Sequence, residues 1–298
     1  MNKLIIFVSS LAFIMSDGIS GVAYFTYDDN FSISRTYFTY KKTVSDDLSF
    51  KFQTDIGALK DNDDTRYTAY VKKAHFDWKL NGGVKMSMGM IGMNMFNVQE
   101  KTWGYRFITK SAMDLNKFSS SADLGLSLSK KFGNLLHANL TISNGEGYKK
   151  SGDDVDENSK VSIQLVNGQK RLDKKDGYNI GLAYSTVSND NDEETTVMGL
   201  FGGWSGMGLR AGVEYNMETV VELENSLTSL YVNYNVNKNL SAFVRQDNYD
   251  EDVNVDGGDE SVMLAGIVWA PTKGLSICPH ITQADDEDTF AFDIQIKF

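Results

Sequence analysis

Three histidines, His75, His137 and His280, and one cysteine, Cys278, are the side chains best suited to metal or nucleophilic chemistry. A metal site needs several ligands held together, and a catalytic base needs a nucleophile within reach. No HxH, CxxC or serine–histidine motif gathers them in sequence. Their neighbours follow a period of two, which sets all three histidines on polar strand faces and predicts solvated imidazoles. A single cysteine forms no internal disulfide. The acidic run "DEDVNVDGGDE" at 250–260 has the composition of a calcium loop but not its ligand order. Its glycines are misplaced and the twelfth-position Glu is missing. Solvated surface charge is the plainer reading, with weak divalent bridging left open. Neither a resident metal nor a cofactor is expected.

A different chemistry is suggested by residues 92–121, "GMNMFNVQEKTWGYRFITKSAMDLNKFSSS". This stretch carries Glu100 and Asp114 against Lys101, Arg106, Lys110 and Lys117. It also carries Phe96, Trp103, Tyr105 and Phe107, which argue against disorder. Connections this long usually have a function. Mixed charges on an aromatic frame suit electrostatic sorting of solutes rather than bond-making. "QEKTWGYRFITK" can hold a short helix.

Most of the remaining chain is alternation. "LRAGVEYNM", "LLHANLTIS", "VKMSMGM" and "AHFDWKL" each set apolar residues on one face and polar ones on the other. Such strands have two unlike faces. Two prolines in 298 residues suit long ladders, since proline removes a donor. Following the pattern gives strands at 21–27, 31–42, 48–58, 66–79, 84–91, 122–131, 135–144 and 160–167. It continues at 177–187, 195–204, 207–217, 226–236, 240–249, 261–270, 275–284 and 289–298.

The connections fall into two classes. Short turns such as "NGG" at 81, "FGN" at 132 and "NKN" at 237 collect lysines, including Lys41, Lys42, Lys130, Lys131, Lys174 and Lys175. Longer loops hold 26 of the 40 Asp and Glu residues, among them Asp28, Asp29, Glu218, Glu222 and Glu224. A soluble sandwich gives no reason for that sorting. A closed antiparallel transmembrane β-barrel does, with apolar faces toward lipid and polar faces toward a wet lumen. The expected fold is therefore all-β, a barrel of about 16 strands (range 14–18). The net charge of −11 argues against a nucleic-acid partner.

Residues 1–20 read as a secretory signal peptide, with Lys3 before the apolar run Leu4–Ile14. Residues 21–298 would form the barrel. Parity places Arg35, Lys51, Asp55, Lys73, His75, Asp77, Lys85, Arg210, Glu214, Arg245 and Asp247 on the lumen wall. The other inward positions read as mostly small or polar.

The chain ends "TFAFDIQIKF", with Phe290, Phe292, Ile294, Ile296 and Phe298 on one face. This closing strand resembles the terminal signature of Gram-negative outer-membrane proteins. The resemblance implies an outer-membrane location, recognition of Phe298 by the assembly machinery, and lipid and lipopolysaccharide as partners. In porins the loop after the fifth strand folds inward and narrows the channel, and segment 92–121 is similar in position and length. "SISRTYFTYKKTVSDDLSFKFQTDIG", "GYRFI" and "ISNGEGYK" resemble porins of the phosphate-selective O and P type. Those porins line the lumen with many arginines; this chain has Arg35, Arg66, Arg106, Arg171, Arg210 and Arg245. The resemblance implies a homotrimer passing small hydrophilic solutes and ions, with Glu100, Lys101, Arg106, Lys110 and Asp114 at the constriction. A weak anion preference is expected from that segment's excess of cations. An outer-membrane enzyme, or a plugged structural or adhesive barrel, is the alternative.

Overall fold

A computed structural model describes residues 18–58, 66–150, 158–188, 193–255, 257–284 and 287–298. Residues 1–17, most of the segment 1–20 expected to be a signal peptide, and much of the acidic loops around 59–65 and 151–157 lie outside the described residues.

Sixteen strands alternate apolar and polar side chains. They are β1 (Ile19–Tyr27), β2 (Phe31–Thr43), β3 (Leu48–Ala58), β4 (Tyr67–Lys79), β5 (Val84–Gly92), β6 (Ala122–Phe132), β7 (Leu136–Ser143) and β8 (Lys160–Gly168). There follow β9 (Gly177–Ser188), β10 (Glu194–Gly206), β11 (Leu209–Val220), β12 (Leu223–Asn237), β13 (Leu240–Asp250), β14 (Asp259–Thr272), β15 (Leu275–Ala284) and β16 (Glu287–Lys297). Each pairs antiparallel with its chain neighbour, and β1 pairs with β16, so the sheet is a closed barrel. Closure leaves no unpaired strand edge.

The exposed face is the apolar one, the inverse of a soluble protein. Leu140, Ile163, Ile180, Leu200, Val213 and Ile281 all face outward and exposed. Exposed Trp78, Trp204, Trp269, Tyr178 and Tyr234 gather near the short-turn ends of their strands. Tyr27, Phe31, Tyr67 and Phe290 gather near the other ends. Two aromatic girdles flanking an aliphatic belt match the two interfaces of a bilayer.

The seam explains the terminal aromatic. Gly21 and Phe298 exchange backbone hydrogen bonds of 2.9 and 3.1 Å. A Cβ at Gly21 would collide with the Phe298 ring, so the glycine makes room for that ring.

Three expectations need correction. β1 begins at Ile19, with Ile19 and Ser20 paired to Tyr40 and Thr39. β11 and β12 extend toward each other until only Val221 and Glu222 join them, so Glu218 and Glu224 stand on strands rather than in a long loop. Val221 is held at φ 59°, an uncommon conformation for a β-branched residue. The inner face is also less polar than expected, since Tyr24, Tyr37, Tyr231, Phe243, Leu264 and Val268 all point inward and are buried.

Candidate functional site

The connection between β5 and β6 lies inside the barrel. It forms α1 (Gln99–Trp103) and α2 (Ala112–Leu115), the first within the stretch expected to be helical. Its apolar residues leave water by packing on inward strand residues. Met95, Phe96, Met113 and Phe118 pack with Ala183, Val197 and Leu227. Trp103, fully buried, stands edge-on to Tyr231 at 5.2 Å and to Phe243 at 5.6 Å.

Polar contacts fix the same side. The last turn of α1 leaves carbonyls without helical partners. Arg210 Nη2 and Asn233 Nδ2 donate to Trp103 O at 3.0 and 3.1 Å, and Tyr231 donates to Gln99 O at 3.4 Å. Gly104 follows at φ 78°, where any Cβ would meet the Arg210 guanidinium at 2.6 Å. Arg245 donates to Lys110 O at 2.6 Å, binds Asp247 through both Nε and Nη2, and lies 5.0 Å from the Trp103 ring centre. Glu214 is buried and accepts from Asn216. Arg210, Glu214 and Arg245 thus belong to the wall on which the segment docks.

The opposite face of the segment carries a continuous ladder of charge. Lys101 Nζ lies 2.8 Å from Glu100 Oε1, and Glu100 Oε2 lies 3.2 Å from Arg106 Nε. Arg106 Nη2 and Lys110 Nζ each lie 3.5 Å from Asp114. Burial would raise the Glu100 carboxyl, but Lys101 and Arg106 outweigh it and hold the group below its usual range. Burial also depresses Lys110, with Arg106 adding to the effect and Asp114 opposing it.

Facing the ladder, Asp55 gathers three donors: Arg35 at 2.8 Å, Lys72 at 3.3 Å and the Tyr148 hydroxyl at 2.7 Å. Lys72 Nζ also lies 4.6 Å from the Tyr148 ring centre. Two of these residues escape a reading by parity. A bulge at Gln53/Thr54 turns both Lys72 and Lys73 inward. Tyr148 reaches in from the β7–β8 connection, where Gly145 and Gly147 adopt φ 114° and 87°. The lysine doublet in "VKKAHF" and the paired glycines of "NGEGY" are the signals that could have found them.

The histidines are less wet than expected. His75 is buried, with Nδ1 3.1 Å from Met90 O, and His280 is buried 3.6 Å from Asp293. The Asp293 carboxylate in turn accepts from Thr26. His137 alone is partly open. Cys278 is fully buried among the inward aromatics.

Between the ladder and the β2–β8 wall lie three cavities. One near the short turns has about 600 Å³, a middle one about 470 Å³, and one near the long loops about 500 Å³. The first two share Lys51, Lys73, Gly92 and Asn97, and the last two share Ser121. Arg106 lines the middle cavity, and Arg35, Lys110 and Asp114 line the third.

By sequence the chain matches no family model and no curated protein. By structure it is similar to many solved barrels. Salmonella typhi OmpF in complex with daunomycin superposes with a TM-score of 0.70 at 12% identity, over 95% of this chain and 99% of that one. The trimer form of the outer-membrane protein OmpT of Vibrio cholerae gives 0.65 at 11% identity, over 94% and 98%. An anion-selective porin from Comamonas acidovorans gives 0.64 at 10% identity, over 94% and 97%. At such identities the likeness is one of fold: a sixteen-stranded closed barrel of the kind porins adopt.

Proposed function

We propose that this protein is an outer-membrane porin, a water-filled channel for passive diffusion of small hydrophilic solutes and ions. The observation that carries the reading is the series of three charged cavities between segment 92–121 and the β2–β8 wall. An apolar outer belt around a polar inner path is what a bilayer pore requires. In this reading residues 92–121 form the constriction, with Glu100, Lys101, Arg106, Lys110 and Asp114 facing Arg35, Asp55 and Lys72 across the narrowest part. Opposed charges there orient polar solutes, and the cation excess favours anions weakly. The kinship with the phosphate-selective O and P type rests on the stretches quoted above. A trimer is proposed from the assembly of the Vibrio neighbour, and residues 1–20 are proposed as a signal peptide removed on export. Phe298, seated over Gly21 at the seam, is the assembly signal.

One observation favours a second reading. The inward aromatics of β1, β2, β12 and β13, with Leu264 and Val268 of β14, fill one side of the lumen together with Trp103 and Phe107, as a plug would. An enzyme is the weaker alternative: Cys278, His280 and Asp293 converge, but all three are buried. Recording in a planar bilayer separates the first two readings. A pore gives discrete, ohmic conductance steps from the purified, heat-modifiable protein. Folded protein that inserts and stays silent would establish the plug.

A further inference from the structure

The three cavities differ in charge. Among the described residues, the one near the short turns is lined by Lys41, Lys42, Lys51, Lys73, Lys85 and Lys170 against a single carboxylate, Asp77. Asp77 is already engaged by Lys85 at 3.3 Å and by the Ser87 hydroxyl. Lys41, Lys51, Lys73 and Lys170 have no ion-pair partner among the described residues. Lys41 and Lys51 are moreover direct cross-strand partners on the inner face. Lys73 stands diagonal to Lys51, since β3 and β4 pair Lys51 with His75 and Gln53 with Lys73.

Like charges set directly opposite destabilise a sheet by up to about 1 kcal/mol. Several other lumen cations are answered: Arg35 and Lys72 by Asp55, Arg106 and Lys110 by Asp114, Arg245 by Asp247. Folding gives no reason for the exception. A ligand does.

Resting on the channel reading above, we propose that this vestibule is a binding site for a small polycarboxylate, an anion carrying two or three separated carboxylates. The lining chemistry selects the class. Ammonium groups are compact point charges without the planar fork that grips one carboxylate or phosphate bidentately, so several of them read how an anion's charge is spread. Here they come from three adjacent strands, β2, β3 and β4, and from the β8–β9 turn, around about 600 Å³. An anion with spread charges reaches several of them at once, and Ser127, Ser129 and Asn139 supply neutral hydrogen bonds on the far side. Lys51 and Lys73 also line the middle cavity, so the site stands at the doorway to the constriction.

The test uses the full-length folded barrel. Citrate, succinate and inorganic phosphate are added from each side during single-channel recording in KCl, and citrate binding is measured separately by titration calorimetry. Citrate is expected to interrupt the current at concentrations about tenfold below phosphate, more readily from the short-turn side. The pair Lys51→Gln with Lys73→Gln is expected to weaken that block at least about tenfold while KCl conductance steps persist. The charge-keeping pair Lys51→Arg with Lys73→Arg should retain it. Block by citrate that survives the Gln pair overturns the site. Phosphate acting as strongly as citrate overturns the polycarboxylate assignment in favour of a compact anion. Wild-type protein that gives no conductance but binds citrate in the calorimeter refutes the channel and keeps the site. Conductance without citrate binding refutes the site and keeps the channel.

Discussion

Arg35 on β2 and Arg245 on β13 stand on different walls of one barrel, both on the inner face and both paired to an aspartate. Their surroundings divide them. Arg245 is 2% exposed, stacked on Trp103 and bonded to the Lys110 carbonyl, so its charge is consumed in holding segment 92–121 against β11–β13. Arg35 lines a cavity and shares Asp55 with Lys72 and Tyr148. The two walls teach that a lumen charge is not one kind of object. What answers it, a backbone carbonyl and a ring or a hydrated path, decides whether it carries structure or selectivity.

The largest effect should come from Trp103→Ala, which empties the aromatic box between Tyr231 and Phe243. Losing a buried aromatic costs about 3–5 kcal/mol, here taken from the docking of the segment. Single-channel conductance should rise severalfold, with the segment newly open to protease. Unchanged conductance would mean that this wall does not position the segment.

Next, Arg245→Gln strands Asp247 in a buried setting, a loss of about 3 kcal/mol or more. The temperature at which the barrel loses its folded electrophoretic mobility should fall, while reversal potential in a salt gradient should hardly move. Arg35→Gln should do the opposite, leaving melting near wild type and shifting reversal potential toward cations. Two variants with the same signature would dissolve the distinction between the walls.

A smaller shift is expected from Arg106→Gln with Lys110→Gln, because the ladder's own carboxylates already offset part of that charge. Reversal potential should still move toward cations with modest change in conductance. If it stays put across a salt gradient, selectivity lies on the barrel wall or in the lysine vestibule.

The smallest effect is one of pH. Lys110 is held below the ordinary lysine value by burial and by Arg106. It therefore discharges earlier than a free lysine as pH rises toward ~10. Anion preference should drift down over that alkaline range, and Lys110→Met should remove part of the drift.

The barrel itself was legible because lipid enforces a rule: outward residues at bilayer depth are predominantly apolar, so strands announce themselves by parity. The ends of most strands follow the alternation closely. The rule has no hold where the chain leaves the bilayer. Glu218, Glu222 and Glu224 read as a loop because charge resembles a loop, yet a two-residue turn at Val221 joins two long strands. Lys72 was hidden by a bulge, which breaks parity locally. Tyr148 was hidden because a side chain delivered by a glycine-turned connection leaves no periodic trace. The charges of segment 92–121 could be named from sequence, but not the side chains that hold its backbone, Arg210, Asn233 and Arg245, which come from strands more than a hundred residues away.

The Gly21–Phe298 seam has a kinetic consequence. Every other strand pairing in the ring joins chain neighbours, whereas β1 and β16 bring together positions such as Val22 and Lys297. By chain-closure entropy that single pairing costs roughly 4 kcal/mol more than a hairpin with a few-residue turn. Hairpins can therefore add one after another from either end, and the ring can shut only after the last strand exists. The open intermediate exposes two unpaired edges, at β1 and at β16. Whatever guides this chain into a membrane has to shield those two edges until the final phenylalanine arrives.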